Sequence, residues 1–473
     1  MVTLSKRLPA RSMVLLVVAA AEFLTTFMVS SINVALRPLA DQWAISAVTL
    51  SWISLAYILA AAALLMPAGR LADLYGRKRF FVIGVSVFAA FALVGAGAPS
   101  PQFLIAVRAL QGIGTAIVYA CCTAMVSLAY PPERRGRALG IQIACVYLGL
   151  TLGPLLGGVI IDGLSWRWVF VVVGVLGGAN AAVAGWRLKG VEWREPKTGR
   201  FDVAGSCLWA VALALFLSGL SSLPGRLGWI LAAAGVAGVA GFFWLETRAS
   251  EPVLSVDLFR RNRVFLYSNA ATLINYAATF ALTFLISLYL EYNRGLSPEM
   301  AGLILASQTV VQTLFSPVAG LLADRMKPRH VASTGMAICV LALLAFAFLR
   351  AATPDWYIVA ALCALGVGLA LFSSPIVHAI MGSVERRYTG VASATIATMR
   401  MTGQNISMGI VTVVLAVQVG RHSIGVADYP ALLTSAHVTF AVLAALGVLG
   451  VAASLVGPGR AGRPVVSGVP DPD

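Results

Sequence analysis

The sequence predicts an all-α membrane protein whose fourteen spanning helices form two similar six-helix halves, with one helix pair inserted between them. Three observations carry that expectation. First, 59% of the 473 residues are hydrophobic and only 11% are charged. A soluble domain carries about 25% charged residues, so there is too little polar surface here to cover a water-soluble body. Second, the apolar residues fall into fourteen runs, each close to the ~20 residues that cross a bilayer as a helix. Third, two charged loops recur along the chain at nearly one spacing.

The runs lie near 13–36, 47–68, 80–98, 103–129, 137–161 and 168–186, then 203–222 and 228–245, then 264–290, 300–322, 331–349, 356–380, 389–417 and 432–456. The basic start "MVTLSKRLPARS" leads into a run too long for a signal-peptide core, which reads as a retained first span. An even number of spans puts both termini on one side. That side takes 26 of the 34 Lys and Arg residues and the other side takes 6, leaving Arg108 and Arg400 inside the membrane. Loop Lys and Arg favour the cytoplasm, so the expectation is a multi-pass protein of a bacterial-type plasma (inner) membrane with both termini cytoplasmic. Topology then accounts for the formal charge of +15. Nucleic-acid binding would need a basic face on a soluble module, and the sequence offers none. The six cysteines all fall in apolar runs without ligand spacing and read as small buried hydrophobes. The tail from Gly457, "GPGRAGRPVVSGVPDPD", is rich in Pro and Gly and is expected to be disordered.

The loop "GRLADLYGRKR" follows run two and "GLLADRMKPRH" follows run ten, so Asp73 and Asp324 stand 251 residues apart. "PPERRGRALG" and "GSVERRYTGVAS" likewise place Glu133 and Glu385 252 residues apart. Each pair falls on one membrane side, which relates the halves by an axis along the membrane normal, the parallel-repeat plan of some transporters. The expected division is residues 13–186 for the first half, 187–263 for a linker with the inserted pair, 264–456 for the second half and 457–473 for the tail.

In run five, Gly149, Gly153 and Gly157 recur every four residues, the small-xxx-small spacing that lets helix backbones touch. Pro154 removes an internal hydrogen bond and bends the helix. With Gly158 they predict a smooth, kinked contact between the halves that packs in one state and slides in another; close packing alone would need the glycines but not the proline. In the loop after run two, Gly69 is expected to end a helix. Asp73 is expected near the start of the next helix, where the dipole favours an anion, with Arg77, Lys78 and Arg79 as partners. A plain positive-inside anchor explains those cations but not Asp73.

Glu22 is the one acid of 19 near mid-membrane, and an intramembrane carboxylate is a functional-site hypothesis by default. Dry surroundings disfavour an ionised carboxyl, so such a group can hold a proton in one conformation and lose it in another. Helical spacing puts it on a face with Thr25, Thr26, Val29 and Asn33; the alternative is a structural hydrogen bonder. A cation at membrane centre costs about 3 kcal/mol on insertion scales, so Arg108 and Arg400 should each face a partner or a cavity. Gln111 or backbone carbonyls would tie Arg108. Arg400, near Gln404 and Asn405, either binds an anionic group or ties the second half. Asn275, Gln308, Gln312, Gln142 and Thr151 are further polar residues expected at a cavity. Trp52, Tyr57, Tyr119, Tyr147 and Tyr276 offer flat faces, although interfacial belts are the ordinary use of such residues. His378 and His437 read as a core and an interfacial histidine. Neither a phosphate loop nor a metal cluster nor a nucleophile–base pair is legible. No cofactor and no enzymatic reaction are expected, and energy would come from gradients.

Taken together, these motifs resemble the major facilitator superfamily in its fourteen-span drug:proton antiporter branch. "GRLADLYGRKR" is similar to that family's loop between spans two and three, "RALQGIG" from Arg108 to its fourth-span motif, and the run-five glycines with Pro154 to the fifth-span motif of exporters. "FDVAGS" and "EPVLSVDLFRRNRVF" resemble the sequences that introduce the inserted pair and the second half. The likeness covers about residues 13–415. It implies the major facilitator fold and export of small hydrophobic or amphipathic compounds (multidrug efflux) by proton antiport with alternating access. It further implies a fifth-span contact that favours export over leak, an Asp73–Arg77 charge latch framed by Gly69 and Gly76, and a proton-relay role for Arg108. One position departs from the pattern. Relatives carry an Asp five residues before the Asn of "INVAL"; here that Asn is Asn33, the Asp position is Met28, and Glu22 lies six residues earlier, about 9 Å along the helix. The expected partners are a small-molecule substrate, protons and the lipid bilayer, with the protein a monomer. A dedicated exporter of one metabolite or antibiotic is the alternative, and a transporter-derived sensor a more distant one.

Overall fold

The computed structural model describes residues 8–193, 202–223, 225–248, 259–260, 262–384, 389–420, 422 and 424–456. Among the described residues, fourteen helices are long and apolar enough to cross a membrane. Spans one to six are Arg11–Trp43, Ala47–Tyr75, Arg77–Ala96, Pro101–Ala129, Ala138–Gly163 and Trp166–Arg187. Spans seven and eight are Val203–Leu220 and Arg226–Glu246. Spans nine to fourteen are Arg263–Asn293, Pro298–Ala323, Pro328–Ala347, Asp355–Gly382, Thr395–Gln418 and Val426–Leu455. Each expected run falls on one of them. The starts are set locally: the side chains of Ser46, Ser100 and Ser297 accept from the backbone N–H of Thr49, Phe103 and Met300, the usual N-cap. Asp202 and Asn262 do the same for spans seven and nine.

The repeat is visible in the packing. Span one lies on spans five and six, span two on four, and span three on four and six; nine lies on thirteen and fourteen, ten on twelve, and eleven on twelve and fourteen. Pro67 inside span two answers Pro317 inside span ten. Asp324 occupies the last turn of span ten; its side chain, the side chain of Glu133, Glu385 and the tail from 457 lie outside the described residues.

The halves meet along spans five and ten and along spans two and thirteen. Ser51 and Thr412 share a hydrogen bond of 2.8 Å, and the Asn405 amide donates to the Ile58 carbonyl at 3.1 Å. Ser287 donates to the Asn33 carbonyl, and the Arg37 guanidinium to the Glu291 carbonyl. A Cβ on Gly158 would stand 2.7 Å from the Pro298 carbonyl oxygen, and one on Gly302 only 2.1 Å from that of Pro154. Apart from the mid-span Asn405–Ile58 contact, these seams lie toward the ends of the spans remote from the two chain termini. Both helices that meet there are interrupted. Span one tightens to a 3-10 turn at Ile32–Ala35, just ahead of Pro38, whose ring excludes the α-helical bond to residue 34. Span nine ends in a π turn, Tyr289–Asn293.

Spans seven and eight interlock backbone to backbone, since Cβ atoms on Gly219 and Gly235 would lie 2.2 and 2.3 Å from the amides of Ala232 and Phe216. The pair sits on the seam between spans two and thirteen. Trp209, Leu213, Leu217 and Phe242 form one apolar cluster with Ala61, Ala62, Leu65, Met66 and Met401, and Leu220 fills the niche over Gly409. It therefore touches both halves. Of the cysteines, Cys207 differs from expectation by facing outward.

Candidate functional site

Glu22 is almost fully buried. Its Oε1 accepts from the Gln142 amide of span five at 2.9 Å, and that amide also reaches Thr123 Oγ1 at 3.2 Å. Oε2 has no hydrogen-bond partner among the described residues. One helical turn on, Thr25 donates to the Tyr119 hydroxyl of span four at 3.4 Å. The Tyr119 ring in turn lies 5.7 Å from the Arg400 guanidinium of span thirteen.

Arg400 is the meeting point of the halves. Tyr276, Tyr119, Glu22 and Tyr147 surround it, and Tyr147 is approached by Ser373 and Gln312. These side chains come from spans one, four, five, nine, ten, twelve and thirteen. Arg400 and the three tyrosines are nevertheless only half-buried. Side chains enclosed by seven helices yet still accessible face an internal space rather than a packed core. No hydrogen bond or ion pair reaches the Arg400 guanidinium among the described residues, so its donors point into that space. Of the residues singled out in the sequence, Glu22, Gln142, Arg400, Gln312, Tyr119, Tyr147 and Tyr276 converge here, and Ser373 of span twelve joins them.

The others lie elsewhere. Thr26 returns its hydroxyl to the Glu22 carbonyl at 2.7 Å and reaches the Val146 carbonyl at 3.2 Å. Asn33 belongs to the remote seam, Asn275 is buried beside Cys339 of span eleven, and the Gln308 backbone packs on Gly366. Arg108 is fully buried. It donates to Gln111 Oε1 at 2.6 Å and to the Ile53 carbonyl at 3.3 Å, with its guanidinium 4.1 Å from the centre of the Tyr57 ring. These contacts are those of the tie weighed above, and Tyr57 in turn lies near Tyr119 of the polar centre. Met28, in the relatives' acid position, is packed in the apolar core. His378 is exposed rather than in a core.

Two local expectations are corrected. Gly149, Gly153 and Gly157 face Thr26, Ser30 and Ser31 of span one, within the first half. Ser30 and Ser31 donate to the Gly149 and Gly153 carbonyls at 3.3 and 2.9 Å. Contact with the other half falls to Gly158 and Pro154. Helical spacing defines a smooth face but not which neighbour fills it. Gly69 does not end span two, whose helix runs on to Tyr75 and stops at Gly76 with φ +113°. Asp73 is therefore in the last turn of span two, ion-paired with Arg77. The next helix start is served instead by Glu192, which accepts from Lys78 N at 2.9 Å and lies 3.6 Å from Arg79.

Glu192 and Glu291 both escaped the sequence reading. Glu192 gave no signal, being one acid in a charged linker. Glu291 stands one residue past the expected end of the ninth run; the π turn Tyr289–Asn293 holds it inside, where it is wholly buried.

The family model described as Major Facilitator Superfamily matches residues 18–247 and 269–471. The chain is 32% identical over 394 residues to Multidrug resistance protein Stp of Mycobacterium tuberculosis, covering 81% of this chain and 72% of that one. It is 27% identical over 393 residues to the Riboflavin transporter RibZ of Clostridioides difficile, covering 82% and 84%. With the Methylenomycin A resistance protein of Bacillus subtilis it shares 29% identity over 414 residues, covering 85% and 87%. In fold it is similar to the crystal structure of a bacterial homolog of the human lysosomal transporter Spinster in an inward-facing and occupied conformation, with a TM-score of 0.64 at 18% identity over 96% of this chain and 97% of that one. Fourteen spans in two repeated bundles, a polar centre between them and a family match along most of the chain lead to one statement: this protein is a transporter of the Major Facilitator Superfamily.

Proposed function

We propose that the protein exports small apolar or amphipathic compounds across a bacterial-type plasma membrane in exchange for protons, by alternating access, with Glu22 as the proton site. The observation that carries this reading is the Glu22 carboxyl: buried, held through one oxygen by Gln142, and facing a centre shared by both halves. With the termini cytoplasmic, the seams remote from the termini are the outer gate, here closed. The tyrosine faces suit flat apolar substrates, and the Arg400 guanidinium suits a polar handle.

The charges set the direction of coupling. Arg400 balances Glu22 when the carboxyl is ionised and leaves the centre at a net charge of +1 when it is neutral. A cationic substrate then competes with the proton, the negative linkage that antiport needs; a neutral one competes only by occupying the space that the ionised carboxyl must share with Arg400. An anion would instead be bound together with the proton. A potential of 100 mV supplies about 2.3 kcal/mol per charge moved. Relatives named for multidrug resistance support broad export. Those named for riboflavin and for methylenomycin A resistance, with the polar lining, support the second reading, a dedicated exporter of one compound.

In inverted vesicles, substrate addition should move protons in wild type and fail to do so in Glu22→Gln; unchanged antiport in that variant removes Glu22 from the mechanism. A broad drug-sensitivity panel separates the two readings, because protection against a single compound indicates the dedicated exporter.

A further inference from the structure

At the remote seam the Ser287 hydroxyl lies between two oxygens, 2.5 Å from the Asn33 carbonyl of span one and 2.7 Å from Glu291 Oε1. A hydroxyl has one proton to give. One proton can be split between two acceptors, but two contacts this short are both full hydrogen bonds when one of the oxygens brings a proton of its own, and a carbonyl cannot. Glu291 is fully buried in the π turn, and its Oε2 has no partner among the described residues. The cation beside it is Arg37, but that guanidinium donates to the Glu291 backbone carbonyl and lies 3.7 Å from Asp41. The groups that face Glu291 are Arg37 and Asp41 from span one, with Tyr292 of its own turn and Tyr429 at the start of span fourteen beyond them. Arg294 and Asp355 pair with each other near Tyr289. Arg37 offers the carboxyl its backbone N–H and its charge, but that charge is shared with Asp41 and a backbone carbonyl, and a buried carboxylate with only a shared cation is costly.

We infer that Glu291 is a second proton-binding site, a latch whose proton locks the outer gate shut. Protonated, Glu291 donates to Ser287, which donates across the seam to Asn33. Ionised, Glu291 takes the Ser287 proton for itself, the bond to Asn33 is lost, and the carboxylate gains water and the nearby Arg37 when the seam parts. The proton enters and leaves on the same side of the membrane, so the latch moves no net charge and is separate from coupling at Glu22. Calling the side external rests on the proposed topology; the pH response itself does not.

The test uses the full chain in nanodiscs, with spin labels at Leu164 and Met300, exposed at the remote ends of spans five and ten, and pulsed distance measurement from pH 5 to 9 without substrate. In wild type the ratio of long to short distances should rise with pH, by at most about tenfold per unit for one proton. In the Glu22→Gln background, where the coupling proton is absent, the ratio should still rise with pH, and adding Glu291→Gln should keep the short distance at every pH. Ser287→Ala, which removes the relay but no charge, should lower the closed fraction at pH 5. A flat Glu22→Gln profile, a Glu22→Gln/Glu291→Gln profile that still titrates, or an unchanged Ser287→Ala would each overturn the latch. If Glu291→Gln does not fold, the Ser287→Ala arm decides.

Discussion

The outer seam turns on a single glycine in a way that can be measured. A Cβ on Gly302 would lie 2.1 Å from the Pro154 carbonyl oxygen and 2.8 Å from its carbon. Both are backbone atoms of the other half and cannot swing aside. A Cβ on Gly149 is just as crowded, 2.2 Å from Thr26 Oγ1 and 2.6 Å from the Phe23 carbonyl oxygen, but its neighbours belong to its own half. Overpacking of this kind costs about 1–3 kcal/mol. In Gly302→Ala that cost falls only on the state in which spans five and ten touch, so it should shift the open-to-closed ratio of the seam about 5–150-fold. In Gly149→Ala it falls on both states, lowering stability without shifting that ratio. Distances between labels at Leu164 and Met300 report the ratio, and melting in detergent reports stability. If Gly149→Ala opened the seam and Gly302→Ala did not, the assignment of the two glycine faces would be wrong.

Further outcomes follow from the same geometry. Gln111→Leu strips Arg108 of its 2.6 Å acceptor and should cost about 1.5–3 kcal/mol, the worth of a hydrogen bond to a charged group; undiminished resistance to unfolding would show that Arg108 is satisfied by other means. Gly76→Ala places a Cβ 2.6 Å from the Glu192 carboxyl carbon at φ +113°, so it should destabilise the loop between spans two and three by about 1–3 kcal/mol, seen as faster proteolysis there. Adding Glu192→Ala should relieve only the steric part; full recovery would exclude backbone strain.

Much of the fold was legible because lipid imposes length and apolarity on every span. The loop echo of Asp73 and Asp324 disclosed the repeat that the paired packing of spans one to six and nine to fourteen bears out. The site was legible only in part. Depth along one helix singled out Glu22, and the rarity of buried cations singled out Arg108 and Arg400, but residue type could not tell the tie from the cavity residue. Arg108 finds Gln111 one turn on in its own helix and Ile53 and the Tyr57 ring one turn apart on span two, whereas Arg400 finds a tyrosine ring but no hydrogen-bond acceptor among the described residues. Tyr119, Tyr147 and Tyr276 carry no mark that distinguishes a cavity wall from an interfacial belt, because the distinction is made by the other spans around them. Gln142 was one polar residue among several until span five laid it beside Glu22. Glu291 was hidden by a half-turn: an α-helix ending at 290 leaves it at the interface, and the π turn does not.

The claim on which the proposed mechanism turns is that substrate and proton compete for one centre. Adding a compound chosen by the drug-sensitivity panel to purified protein in weakly buffered detergent, with a pH indicator, measures that competition directly. Near the pH where Glu22 is partly protonated, wild type should release up to one proton per substrate bound, and Glu22→Gln none while still binding. Binding without proton release in wild type, or equal release in Glu22→Gln, would contradict it.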